Sequence, residues 1–172
     1  MSTRTASTPL QHGLAPVVTA DTRLLVLGSF PSAASLAAAQ YYAHPRNQLW
    51  AILSALWGVE LRALPYPARL AEMRRRGMGL WDVYASCRRE GSLDSAIEEA
   101  APNDLAALVA TLPALSAIAH NGGESARALK WTRGLASEVV RLPSSSPANA
   151  TWSLARKVQA WRAVFSRHGL CA

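Results

Sequence analysis

Cysteine is nearly absent from this chain: Cys87 and Cys171 are the only two, far apart in sequence. Two thiols are too few for an iron–sulfur cluster or, without other ligand types, a structural zinc site; a pair of free, reduced thiols is expected. Lysine is as scarce. Of 18 basic residues only Lys130 and Lys157 are lysine, and the rest are arginine. No apolar run approaches the length of a membrane span, and Met1–Ala20 has no apolar core of a secretory signal. A cytoplasmic protein is therefore expected, nucleoid-associated in a bacterium, with no membrane partner. The four histidines, His12, His44, His120 and His168, fall at no ligand spacing, so neither a metal nor a cofactor is expected. Three phosphate-binding or nucleophile signatures are missing too. The turn Gly28-Ser29-Phe30-Pro31-Ser32 lacks the Gly-Lys-Ser/Thr of a P-loop, the second and third glycines of a dinucleotide fingerprint, and the Gly-x-Ser-x-Gly of a nucleophile elbow.

What is present is a chain of 172 residues, half of them hydrophobic, with a net charge of +7. That length suits one domain with a self-sufficient core, and the basic excess suggests a polyanionic partner, nucleic acid first. Residues 1–20 mix Ser, Thr, Ala and Pro without period and read as a flexible N-terminal tail, with a single domain over 21–172. Four strands are predicted, at Leu24–Leu27, Met78–Val83, Leu115–Ala119 and Ser137–Leu142. Helical spacing is found at Asn47–Leu56, Pro67–Arg76, Asp94–Glu99, Asn103–Thr111, Gly123–Leu129 and Thr151–Ser166, with Asp94 and Asn103 as possible caps. Strands alternating with helices imply an α/β protein, a parallel sheet with helices on both faces.

Each strand runs into a polar, turn-prone loop, and an open parallel sheet binds ligands at the carboxyl ends of its strands. The loops are Gly28–Ser32, Asp82-Val83-Tyr84, His120–Gly123 and Pro143–Asn149. The segment Tyr41-Tyr42-Ala43-His44-Pro45-Arg46-Asn47 joins them on the same edge. Tyr42 has two readings, a base-stacking platform or core packing. Asn47 is equally a natural helix cap.

Three motifs in order, Gly28-Ser29-Phe30-Pro31-Ser32, Tyr41-Tyr42-Ala43-His44-Pro45-Arg46-Asn47 and Leu142-Pro143-Ser144-Ser145-Ser146-Pro147-Ala148-Asn149, resemble the uracil-DNA glycosylase superfamily. The branch they resemble most is that of the hypoxanthine-DNA glycosylases. Leu80–Tyr84, Arg89–Asp94 and His120–Gly122 also fit. The resemblance implies a three-layer α/β/α sandwich on a four-stranded parallel sheet. It implies a monomeric, monofunctional DNA glycosylase of base excision repair. Its partner is double-stranded DNA containing a deaminated base, hypoxanthine preferred. The alternatives are a uracil or mismatch glycosylase, or a non-catalytic DNA-binding domain on the same fold.

The resemblance also implies residue roles. Asn47 is the expected catalytic residue. Gly28, Ser29, Phe30, Pro31, Ser32, Tyr42, Asp82, Asn121 and Leu142 form the expected base pocket. Pro143, Ser144, Ser145, Ser146, Pro147 and Asn149 form the expected DNA-binding loop. The chain departs from other branches at four places. Phe30 stands where they carry a water-positioning Asp or Asn, and Leu142 where they carry His or Asn. Asp82 replaces an Asn that reads the pyrimidine edge, and Ser32 replaces a bulky aromatic. The pocket is thus expected to be wider and less suited to uracil. Asp82 either accepts from the base or orders its own loop, and His44 is expected to make a structural hydrogen bond beside Pro45.

Overall fold

An apolar run without polar alternation, such as Leu24–Leu27, belongs in a strand covered on both faces. The computed structural model describes residues 6–171 and puts it there. Elements follow in the order β1 (Leu10–His12), β2 (Leu24–Gly28), α1 (Ala33–Ala38), α2 (Leu49–Trp57), α3 (Tyr66–Arg75), β3 (Met78–Asp82), β4 (Tyr84–Arg88), β5 (Glu98–Pro102), α4 (Leu105–Val109), β6 (Ala117–Asn121), α5 (Gly123–Ala126), α6 (Leu129–Thr132), β7 (Glu138–Leu142) and α7 (Leu154–Arg167). Strands β3, β2, β6 and β7 lie in that order in one sheet, all parallel as the alternation of strands and helices implied.

Side-chain alternation across the pleat divides the core in two. Leu24, Val26, Met78, Leu80, Ala117 and Ala119 face one cluster, closed by Ile52 and Leu53 of α2, Met73 of α3, and Trp161 and Phe165 of α7. Leu25, Leu27 and Ile118 face the other, closed by Leu105 of α4, by Ala128, and by Tyr84 and Cys87 of β4. This is the three-layer sandwich. Among the described residues no helix is long and apolar enough to cross a membrane.

Several boundaries differ from expectation. The tail expected over 1–20 is ordered from Leu10, where β1 pairs antiparallel with β4; residues 1–5 lie outside the described residues. The reason is an edge strand. β3 ends the parallel sheet, and Val17 covers it through paired backbone hydrogen bonds with Leu80. Tyr41 Oη donates to the carbonyl of Ala15 at 2.7 Å and Trp81 Nε1 to that of Leu14 at 3.1 Å. The helix expected at Asp94–Glu99 is a 3-10 turn (Asp94–Ala96) followed by β5. Every residue of β5 is exposed, so it carries no buried period to read. The third core strand begins at Ala117 because Leu112–Leu115 closes a turn. Asp104, not Asn103, caps α4, accepting from Ala107 N at 3.0 Å.

Candidate active site

Because the four core strands are parallel, their carboxyl ends share one edge. Gly28, Asp82, Asn121 and Leu142 are the last residues of β2, β3, β6 and β7. Above them opens a cleft of about 1270 Å³ that all the predicted pocket, loop and catalytic residues line. Gly28 is required by close approach: a Cβ there would collide with Asp82 Oδ1 and lie 3.0 Å from Tyr42 Oη. Phe30 and Leu142 are almost wholly buried, so the positions that are polar in other branches are here apolar wall. Ser32 caps α1, accepting from Ser35 N at 3.1 Å.

Asn47 stands at the entry of α2. Its Oδ1 accepts from Leu49 N at 2.9 Å, so it does the work of a cap although Gln48 holds the formal position. That bond assigns the amide: the oxygen faces the backbone N–H. A second lone pair of Oδ1 stays available. Arg62 Nη2 donates to the Asn47 carbonyl at 2.6 Å, and His44 Nδ1 accepts from Arg46 N at 3.1 Å, the local structural bond expected of it.

Asn121 joins three loops. Its Nδ2 donates to Tyr42 Oη at 3.2 Å and to Ser145 Oγ at 2.9 Å, while its Oδ1 accepts from Ser145 N at 2.9 Å. Ser145 is 0% exposed, and its carbonyl accepts from Gln48 N at 2.9 Å. Its N–H, its carbonyl and one lone pair of its Oγ are thus taken inside the fold, and only the hydroxyl hydrogen is left over; the polar side chains of this loop that keep exposed surface belong to Ser144, Ser146 and Asn149. Gln48 Oε1 in turn accepts from Lys157 Nζ at 2.8 Å. Lys157 is buried, which lowers its pKa, and it lies off the cleft wall.

Sequence reasoning assigned no site role to Ser92–Ser95, yet this segment forms one wall of the cleft. Asp94 Oδ1 accepts from Ser29 Oγ at 2.6 Å, Ser92 Oγ accepts from Ala33 N at 3.0 Å, and Arg89 Nη2 donates to the Pro31 carbonyl. Three bonds thus clamp the Gly28–Ser32 turn. Arg89 is 3% exposed with its guanidinium 5.3 Å from the centre of the Phe30 ring. These contacts join residues some 60 positions apart, and no local pattern announces them.

Asp82 is 4% exposed, and its Oδ2 has no hydrogen-bond partner. Burial, reinforced by the charge of Asp94 and opposed by Arg89, pushes its carboxyl up to about 7. Its loop is ordered by another group: Asn103 Nδ2 donates to the Asp82 carbonyl at 2.8 Å.

Comparisons with known proteins agree with this geometry. The family model of the uracil DNA glycosylase superfamily matches residues 15–165. A protein from Methanosarcina acetivorans named hypoxanthine DNA glycosylase is 36% identical over 92% of this chain and 99% of its own length. A Methanosarcina barkeri protein of the same name is 34% identical over 91% of this chain and 99% of its own. The solution NMR structure of a nominal uracil DNA glycosylase from Methanosarcina acetivorans superposes with a TM-score of 0.83 at 35% identity, covering 92% of this chain and 98% of that one. A three-layer sandwich with its loops gathered at one sheet edge, matched along nearly its whole length, places this chain in the uracil DNA glycosylase superfamily.

Proposed function

We propose that this chain is a monofunctional DNA glycosylase of base excision repair that flips a deaminated base out of double-stranded DNA and hydrolyses its N-glycosidic bond, with hypoxanthine preferred. The observation that carries this reading is the match, over more than nine-tenths of the chain, to relatives named hypoxanthine DNA glycosylase. The cleft supports it. A purine needs more room than a pyrimidine, and the small Ser32 on the cleft wall supports that room, while Phe30 and Leu142 line it with apolar surface.

Asn47 does not titrate and cannot act as a base. Held by Leu49 N, its Oδ1 offers the remaining lone pair to a water and points that water at C1′. As the C1′–N9 bond breaks, its electron pair leaves with the purine. The water oxygen bonds C1′ and loses a proton, and the purine gains one. The oxocarbenium-like sugar is electrophilic enough for a weak nucleophile, so positioning and electrostatics supply most of the acceleration. Neither Lys130 nor Lys157 lines the cleft, which supports hydrolysis without a Schiff base. The protein is read as a monomer that works where the cell's DNA lies.

Single-turnover incubation with duplexes carrying deoxyinosine, deoxyuridine or no damage tests the proposal. Hypoxanthine should be released fastest. Asn47→Ala should slow release about a hundredfold or more, the usual worth of one transition-state hydrogen bond, with DNA binding retained. Faster uracil release in every pairing context would reassign the substrate, and tight binding with no abasic product would make the chain a binding module.

A further inference from the structure

The mechanism leaves one polar group on the cleft wall without work. Asp82 ends β3 beside Gly28, and no hydrogen bond among the described residues uses its carboxyl. Its loop is held instead by the bond from Asn103 to its carbonyl. A buried carboxylate oxygen with nothing to accept from is costly to folding, and at the wall of a ligand cleft it is a group kept for the ligand. The ionisable groups around it are few. Asp94 faces it from the 3-10 turn and Arg89 from the segment after β4. Tyr41 and Tyr42 approach from the loop after α1. His44 lines the same cleft, turned to Arg46 N. None of them is bonded to the Asp82 side chain.

Resting on the reading of this cleft as a purine site, we infer that Asp82 reads the flipped base as a neutral carboxylic acid, its carbonyl oxygen accepting N1–H of hypoxanthine and its O–H donating to O6. An ionised carboxylate could take N1–H but would set its negative charge against the lone pairs of O6. The neutral acid presents a donor beside an acceptor and matches the edge at both atoms. Its O–H also faces the oxygen that gains charge when the C1′–N9 electron pair moves into the purine, so the bond strengthens in the transition state. The proton stays on Asp82 throughout. The cause is in the fold: burial and Asp94 hold the carboxyl near neutrality already, and a base that displaces water from the cleft favours the neutral form further. Adenine offers the same pair of groups reversed, so Asp82 does not by itself exclude it. The weak pairing of deoxyinosine, which opens at lower cost, separates the two before the carboxyl is reached.

Asparagine has the same shape and presents a donor and an acceptor at every pH, which makes Asp82→Asn the informative variant. Single-turnover release of hypoxanthine, with enzyme saturating at each pH between about 5.5 and 9, is expected to fall for the wild type by about tenfold per unit above its midpoint. Asp82→Asn should show no such fall, so the ratio of variant to wild type climbs with pH. Asp94→Asn, which can still accept from Ser29, should move the wild-type midpoint to lower pH by removing the charge that raises Asp82. A constant ratio, or an unmoved midpoint in Asp94→Asn, overturns the inference and leaves the glycosylase reading standing. The midpoint arm decides the matter alone if Asp82→Asn does not fold. Absence of hypoxanthine release by the wild type at every pH overturns the glycosylase reading and this inference with it.

Discussion

Tyr42 holds a backbone φ of 53°, a left-handed conformation that a bulky residue rarely adopts. Its neighbours impose it. Trp50 Nε1 donates to the Tyr42 carbonyl at 3.2 Å, and Asn121 donates to the hydroxyl. The strain is local and sits on the cleft wall, where the half-buried ring also packs against the main core. Of the two roles left open from sequence, core packing is seen, and the place of the ring on the cleft wall is why we propose that it also stacks on the flipped base. Tyr42→Ala should weaken the flipped state by about 1–3 kcal/mol, the usual worth of a base–aromatic stack. A 2-aminopurine reporter beside the lesion measures it; a flipping signal unchanged in a folded variant would leave the ring a packing role only.

The loop between β7 and α7 is positioned as an element, and Ser145 is its anchor. Three of its groups bond Asn121 and Gln48, so the loop, the Asn47 turn and the end of β6 form one body, extended to α7 by Lys157. Ser145→Ala deletes an acceptor for a side chain whose other partners cannot move to replace it. We expect a loss of roughly 1–3 kcal/mol in urea denaturation, the cost of a half-satisfied polar group. The salt dependence of DNA binding should not change. A Ser145 that touched phosphate would give the reverse pattern. The segment Arg89–Asp94 is held in the same way, Asp94 to Ser29, Ser92 to Ala33 and Arg89 to Pro31. The base pocket is therefore a set of loops stitched to one another above a rigid sheet.

At the scale of the molecule the net charge of +7 is not spread evenly in its effect. Arg75 and Arg76 are paired with Glu72, which makes the Arg74–Arg76 run a helix end. Arg167 on the cleft wall is paired with Glu138. Arg46 and Arg141 also line the cleft, and neither has a carboxylate partner among the described residues. We therefore expect these two to neutralise phosphates. Arg46→Gln and Arg141→Gln should each weaken binding to any duplex by a similar factor. Each should also flatten the log–log salt dependence of the binding constant by about 1. Fluorescence anisotropy over a salt series measures both, and an unchanged slope would move the phosphate track elsewhere.

The sequence by itself determined the sheet, its edge and the strand-end loops that meet there, but not the Ser92–Ser95 wall of the cleft. Leu24–Leu27 is apolar on both faces, and only a covered parallel strand accepts that. Parallel strands put every following loop on one side, so Gly28, Asp82, Asn121 and Leu142 meet without further information. The tertiary structure alone decided what each group is free to do. Ser145 reads as an exposed loop serine, and its burial comes from Asn121, 24 residues away. For Asp82 the sequence left two readings, base contact or loop ordering; Asn103, 21 residues on, orders that loop and leaves the carboxyl unbonded. β1 and β5 carry no buried period because they cover edges rather than fill cores. Periodicity records burial along one element, whereas hydrogen-bond partners and the field at a carboxyl are set by groups that only folding brings together.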